Sequence, residues 1–170
     1  YLLTNFFSPT TNHRTDLYGG TLENRMRIYI EIARDVRKKV GPDFPVTIRL
    51  SGTDYEPDGF PIEDTLVLAK ALENEGIDAF HISGGDHHTM IHQTSPMAMD
   101  HGHNVWAAEA IKKVVSVPVI ASGGAGCRED FLDVFRLDCV DAGLAASIFH
   151  LREVDIRALK RWLNENGVPM

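Results

Sequence analysis

At 170 residues the chain has room for one domain with a substantial core, whereas a complete (β/α)8 barrel usually needs roughly 200 residues or more. Lys+Arg 17 against Asp+Glu 24 gives a net charge of −7, with the basic residues spread along helical segments; this argues against a nucleic-acid or anionic-membrane surface and for small-molecule partners. No apolar run approaches the ~18 residues of a membrane span and no signal-like start is present, so a soluble, cytoplasmic protein is expected.

Leu22, Met26, Tyr29, Ala33, Val36 and Val40 recur at helical spacing after Gly19-Gly20-Thr21, which predicts an amphipathic helix over 22–40, ended by Gly41-Pro42. The β-branched run 45–51 reads as a buried strand. Apolar residues at 62, 66, 69 and 72 predict a helix over 62–75 that stops at Gly76, followed by a strand over 78–83. A polar, histidine-rich loop spans about 86–104, then come a helix over 105–115 and a strand over 117–122. A helix over 128–137, a strand over 142–148 and a last helix over 153–166 complete one helix followed by four βα units. Strands alternating with helices imply a parallel sheet with right-handed crossovers. The expected fold is an α/β, parallel (βα)4 half of a TIM barrel in a single domain spanning 1–170. Such a half leaves two open edges and one uncovered face, so association of two copies into a barrel-like homodimer is expected. A flattened, flavodoxin-like sheet with helices on both faces is the alternative.

Parallel α/β folds place ligands at the carboxyl edge of the sheet. There Ser122-Gly-Gly-Ala-Gly126 follows a strand and opens a helix, and Leu144-Ala-Ala-Ser147 ends the next strand. Bare N–H groups at Gly123, Gly124, Ala146 and Ser147 suit a phosphate; the competing reading is that the glycines serve tight turns and close packing. Five of the eight histidines (His87, His88, His92, His101 and His103) fall within 87–103, yet their spacing matches no zinc pattern and no metal site is expected. Cys127 and Cys139 fit no CxxC pattern and read as reduced thiols.

The segment from Tyr1-Leu-Leu-Thr-Asn-Phe-Phe to Tyr18-Gly-Gly-Thr-Leu-Glu-Asn-Arg25 resembles the loop and helix start after the fourth barrel strand of Old Yellow Enzyme-type flavin ene-reductases, including the dienoyl-CoA-reductase-like branch. The resemblance covers 1–116 and implies that the chain begins in mid-fold. It implies FMN as cofactor and NAD(P)H-dependent reduction of activated alkenes. By that resemblance Arg49 points at the pyrimidine edge of the flavin, where a fixed cation stabilises the reduced ring. Tyr1 and His87 match the tyrosine and histidine that assist proton delivery. Residues 117–170, with Val117-Pro-Val-Ile-Ala-Ser-Gly-Gly-Ala-Gly126 and Gly143-Leu-Ala-Ala-Ser-Ile-Phe-His150, are similar to the carboxyl end of the cyclase subunit of imidazole glycerol phosphate synthase. That second likeness implies a phosphate cup and a shuffled or engineered chimera, with a non-catalytic phosphate-binding scaffold as the alternative function. Phe80-His-Ile-Ser83 lacks the cyclase aspartate, so cyclase chemistry is not expected. The iron–sulfur segment of the dienoyl-CoA-reductase branch is absent as well.

Overall fold

Local chemistry defines the first long helix, α2 (Leu22–Val40). The Thr21 hydroxyl accepts from Asn24 N–H at 3.4 Å, Glu23 sits in the first turn, and Arg37, Lys38 and Lys39 sit in the last, matching the helix dipole at both ends. Gly41, at φ +83°, ends it. A short helix, α1 (Leu2–Phe7), precedes it and buries Phe7 against Tyr29 and Phe60. The structure is a computed structural model and describes residues 2–94, 96 and 98–170.

The remaining elements alternate. They are β1 (Thr47–Ser51), α3 (Ile62–Asn74), β2 (Ala79–Ser83), α4 (Met90–Gln93), α5 (Val105–Lys112), β3 (Val119–Ser122), α6 (Arg128–Arg136), β4 (Ala142–Leu144), α7 (Ser147–His150) and α8 (Ile156–Glu165). The four strands form one parallel sheet in the order β1-β2-β3-β4. Consecutive order is that of a barrel wall and excludes the flavodoxin-like alternative, in which the order switches direction inside the sheet.

Register divides the side chains into two faces. Leu50, Ile82 and Ala121 stand in one row and pack with Phe80 and Val119 against Leu68, Ala69 and Leu72 of α3 and Ala107, Ala108 and Ile111 of α5. The row Arg49, His81, Ile120 and Ala142 stands on the other side, which no helix covers among the described residues. Thr47 and Arg49 are exposed there, as is Leu144 at 42 %. A second, smaller core joins Phe131 and Leu132 of α6 to Ile148 of α7 and Leu159 and Leu163 of α8.

An aspartate just before a strand aligns each outer strand pair. Asp78 N–H donates to Val46 C=O at 2.8 Å while its carboxylate accepts Val46 N–H at 2.7 Å. Asp141 does the same to Val119, at 2.9 and 2.8 Å. The sequence around each is alike, Gly76-Ile-Asp-Ala79 and Cys139-Val-Asp-Ala142.

Several boundaries depart from expectation. The strand predicted over 142–148 ends at Leu144, because Ile148 turns into the second core and the chain winds into α7. The loop predicted over 86–104 contains α4, and α5 stops at Lys112 instead of 115. The stretch read as loop at the amino end is helical in α1. No helix among the described residues is long and apolar enough to cross a membrane.

Two arginines of α2 face different environments. Arg25 is buried, pairs with Asp64 at 3.0 Å and donates to the carbonyls of Gly20 and Phe7. Arg34 forms a two-pronged pair with Glu75 at 2.7 and 2.6 Å but is 63 % exposed. Removing the buried cation strands Asp64 and two carbonyls, so Arg25→Ala should cost about 3 kcal/mol or more. Arg34→Ala should cost less than about 1 kcal/mol. Urea unfolding monitored by circular dichroism checks the ranking; equal losses would refute it.

Candidate functional site

The carboxyl ends of the strands gather the polar side chains. Arg49, at the centre of β1, projects onto the uncovered face in register with His81 of β2. It is exposed and makes no hydrogen bond or ion pair with the described residues. The strand was expected to bury it; the absent cover leaves the guanidinium facing solvent. His81 Nε2 lies 2.7 Å from Ser122 Oγ, and the same hydroxyl donates to Ile82 C=O at 2.9 Å. Burial, then the Arg49 charge, holds the His81 imidazole below its ordinary pKa.

Beyond β1, Asp54 organises the loop to α3. Its buried carboxylate accepts from the Ser8 hydroxyl at 2.5 Å, Phe60 N–H at 3.2 Å and Glu56 N–H at 3.2 Å. The next residue, Tyr55, adopts φ +61°, a conformation costly for a side chain of this size. Its ring stacks on His92 at 3.8 Å and 14°, and its hydroxyl donates to Asn104 Oδ1 at 2.9 Å. Asn104 in turn donates to His92 C=O at 3.1 Å. The histidine-rich segment is thereby folded into a ring-stacked cluster. Among the described residues no group of three or more His, Cys, Asp or Glu is arranged to hold a metal ion.

Gly123 and Gly124 follow β3, with φ of +107° and +81°. A Cβ on Gly124 would meet Gly102 N at 2.7 Å, and one on Gly123 would meet Asn104 Nδ2 at 3.1 Å. The glycines therefore accommodate the histidine loop as well as a sharp turn. Ala146 and Ser147 follow β4, are exposed, and lie at the same edge, since Ser122 and Leu144 are register partners. A pocket of about 40 Å³ between the rims is lined by Gly102, Ser122, Gly123, Ala125, Asp130 and Leu144 among others. Gly124, Ala146 and Ser147 do not line it, and Gly102 N, His101 Cα and Asp100 O lie 2.7, 3.1 and 3.2 Å from where a Gly124 Cβ would stand, so an anion at Gly124 requires the 101–103 segment to yield.

Asp130, at the third position of α6, was not expected as a site residue. Its carboxylate accepts from Gly126 N–H at 2.7 Å and Cys127 N–H at 2.9 Å, and its other oxygen contacts His101 Nδ1 at 3.0 Å. Burial raises its pKa, but the bonds from His101, Gly126 and Cys127 outweigh that and hold the carboxyl below the usual range. The Gly126 and Cys127 amides ahead of α6 are thus already engaged by Asp130, which leaves Gly123-Gly124 as the part of the loop open to a ligand. His87 is exposed beyond β2, its ring edge-on to His88 at 5.5 Å. Tyr1 lies outside the described residues.

Four parallel strands in consecutive order, with polar groups gathered on one uncovered face and at the carboxyl rim, define part of the wall of a TIM-type barrel. The profile of the NADH:flavin oxidoreductase / NADH oxidase family matches residues 1–132, and the chain belongs to that family, whose cofactor is FMN. Among curated relatives, the NADH oxidase of Thermoanaerobacter brockii is 41 % identical over 123 residues, 72 % of this chain and 19 % of its own length. The cinnamate reductase of Clostridium sporogenes is 35 % identical over 137 residues, 72 % of this chain and 21 % of its own. The chain thus spans about a fifth of the length of these relatives. The structure of a 2-naphthoyl-CoA reductase bound to 2-naphthoyl-CoA superposes with a TM-score of 0.77 at 31 % identity, over 84 % of this chain and 22 % of that one. Histamine dehydrogenase from Rhizobium sp. 4-9 shares the fold at 23 % identity, with a TM-score of 0.73 over 96 % of this chain and 23 % of its own.

The depressed Asp130 carboxyl carries a pH signature. A group whose folded pKa is lowered stabilises above its unfolded value and loses that contribution as pH falls through the folded one. Asp130→Ala should therefore lower stability by about 1 kcal/mol near neutrality. The gap to wild type should close below about pH 4. Thermal melts across that range check it; a gap that persists in acid would show that the carboxylate charge is not responsible.

Proposed function

We propose that this chain is the flavin-facing half of an FMN-dependent NAD(P)H oxidoreductase barrel that reduces activated alkenes. The observation that carries the reading is Arg49, an exposed cation without an ion partner among the described residues, on the inner face of the sheet. A planar guanidinium there suits the electron-rich edge of an isoalloxazine ring, so the residues present fit the cofactor. Bound FMN supplies hydride transfer. Gly123 and Gly124, with Ala146 and Ser147 on the next strand, hold its phosphate once the 101–103 segment moves aside. His87 and Tyr1 deliver the proton to the substrate. The likeness to a cinnamate reductase and a 2-naphthoyl-CoA reductase supports an unsaturated substrate conjugated to a carbonyl.

Two copies complete one another in this reading. Ile120 and Leu144 on the uncovered face and the free edges of β1 and β4 are costly to leave in water, which supports a homodimer. Light scattering should give twice the 18.9 kDa chain mass; a folded monomer at micromolar concentration would remove the dimer from the proposal.

A non-catalytic scaffold is the second reading. The family match runs through residues 117–132, beyond the expected seam at 116/117, so this reading rests on the likeness of Gly143-Leu-Ala-Ala-Ser-Ile-Phe-His150 to the phosphate-binding end of the cyclase alone. On this reading the chain is a chimera that keeps the phosphate rim alone. Arg49→Ala separates the two. It should weaken FMN binding about tenfold, measured by flavin fluorescence quenching, while circular dichroism stays unchanged. Unchanged affinity would mean that the ring does not lie against Arg49 and would leave the scaffold.

A further inference from the structure

The last helix ends on a dipeptide that carries its own chemistry. Asn166 is the C-cap of α8, and Gly167, at φ +86°, turns the chain away from it. No other asparagine of the chain precedes a glycine. Asn-Gly is the pair most open to backbone attack on a side-chain amide, because the glycine nitrogen has no neighbouring Cβ to hinder its approach. The Gly167 nitrogen can close an imide ring on Asn166 Cγ: the N–Cγ bond forms, the Cγ–Nδ2 bond breaks, and the Gly167 N–H proton leaves with the amide group as ammonia. Water then opens the ring at one carbonyl or the other and leaves aspartate or isoaspartate.

The folded geometry withholds both reactants. Gly167 N–H donates to Asn164 C=O at 3.1 Å and Val168 N–H donates to Leu163 C=O at 2.9 Å, which together make a complete Schellman cap. Asn166 Nδ2 donates to Trp162 C=O at 2.8 Å, which draws the side-chain amide back over the last turn. Val168 packs on the second core beside this cap. The reaction therefore needs the cap to open, a local event that costs less than unfolding the domain.

We propose that Asn166-Gly167 is a site of spontaneous deamidation gated by opening of the α8 cap, and that either product weakens the cap that had protected it. Aspartate at 166 loses the donor to Trp162 C=O and sets a negative charge at the negative end of the helix dipole, where the last turn of α8 has no basic residue to offset it. Isoaspartate routes the backbone through Cγ and adds a methylene before Gly167, which carries the Gly167 and Val168 N–H groups out of register with the Asn164 and Leu163 carbonyls. The modification thereby loosens the end of α8 that seats Leu163 in the second core.

The full chain is incubated in warm neutral buffer with and without urea, and its peptides are followed by chromatography and mass spectrometry that resolve asparagine, aspartate and isoaspartate. Asn166 should be the first asparagine converted in urea, and its conversion should be roughly tenfold slower in the native chain, the upper worth of a single helix cap. Val168→Ser, which removes the apolar contact of the cap, should bring the native rate severalfold closer to the rate in urea. Hydrogen exchange on the converted chain should show lost protection at Gly167, Val168 and the last turn of α8, with β1, β2 and β3 unchanged. Equal rates in buffer and urea would overturn the gating, and so would native conversion too slow to detect while the urea sample reacts fully, since only global unfolding would then admit the reaction. Earlier conversion of another asparagine would overturn the site, and intact protection at 167–168 after conversion would overturn its effect on the cap. The wild-type comparison decides alone if Val168→Ser fails to fold.

Discussion

The architecture depends on one-sided burial of a four-stranded sheet. Leu50, Phe80, Ile82, Val119 and Ala121 face α3 and α5 and are almost fully removed from water. At about 1.5–3 kcal/mol for each large apolar side chain so buried, this layer supplies most of the drive for folding. Side chains alternate along a strand, so the same contact that hides Leu50 and Ile82 turns Arg49 and His81 to the other side. The polar character of the open face is therefore a geometric consequence of the apolar core behind it. Membership of the NADH:flavin oxidoreductase family gives the carboxyl edge of that face its meaning, since that rim of a barrel is where ligands sit.

Much of the fold was legible because the segments carry clear periods and clear stops. Leu22–Val40 announces itself by its apolar stripe, Thr21 and Gly41, and the structure gives the same limits. Failure came where a short apolar run could follow either period. Gly143-Leu-Ala-Ala-Ser-Ile-Phe-His150 has strand-like composition, yet only three residues pair with β3 before Ile148 is drawn into contact with Phe131 and Leu159. Phe6 and Phe7 looked like loop residues because α1 is a six-residue helix, too short to be stable without tertiary packing.

Site residues divide in the same way. Arg49 could be found because a charged residue inside an apolar strand is conspicuous. Asp130 carries a local signal, an acid at the third position of α6 that reaches back to the N–H of Cys127. His81 and Ser122 left none. They are 41 positions apart and meet only because β2 and β3 pair in one register, so no spacing rule could join them. Tyr55 belongs with these, since its stacking on His92 depends on a backbone conformation that a tyrosine rarely adopts.

The paired aspartates have a broader consequence. Asp78 fastens β2 to the start of β1, and Asp141 fastens β4 to the start of β3, each through a two-way bond to a single residue of the preceding strand. A strand–helix–strand block built this way holds part of its alignment within itself, in one carboxylate placed at the end of the sheet opposite the ligand rim.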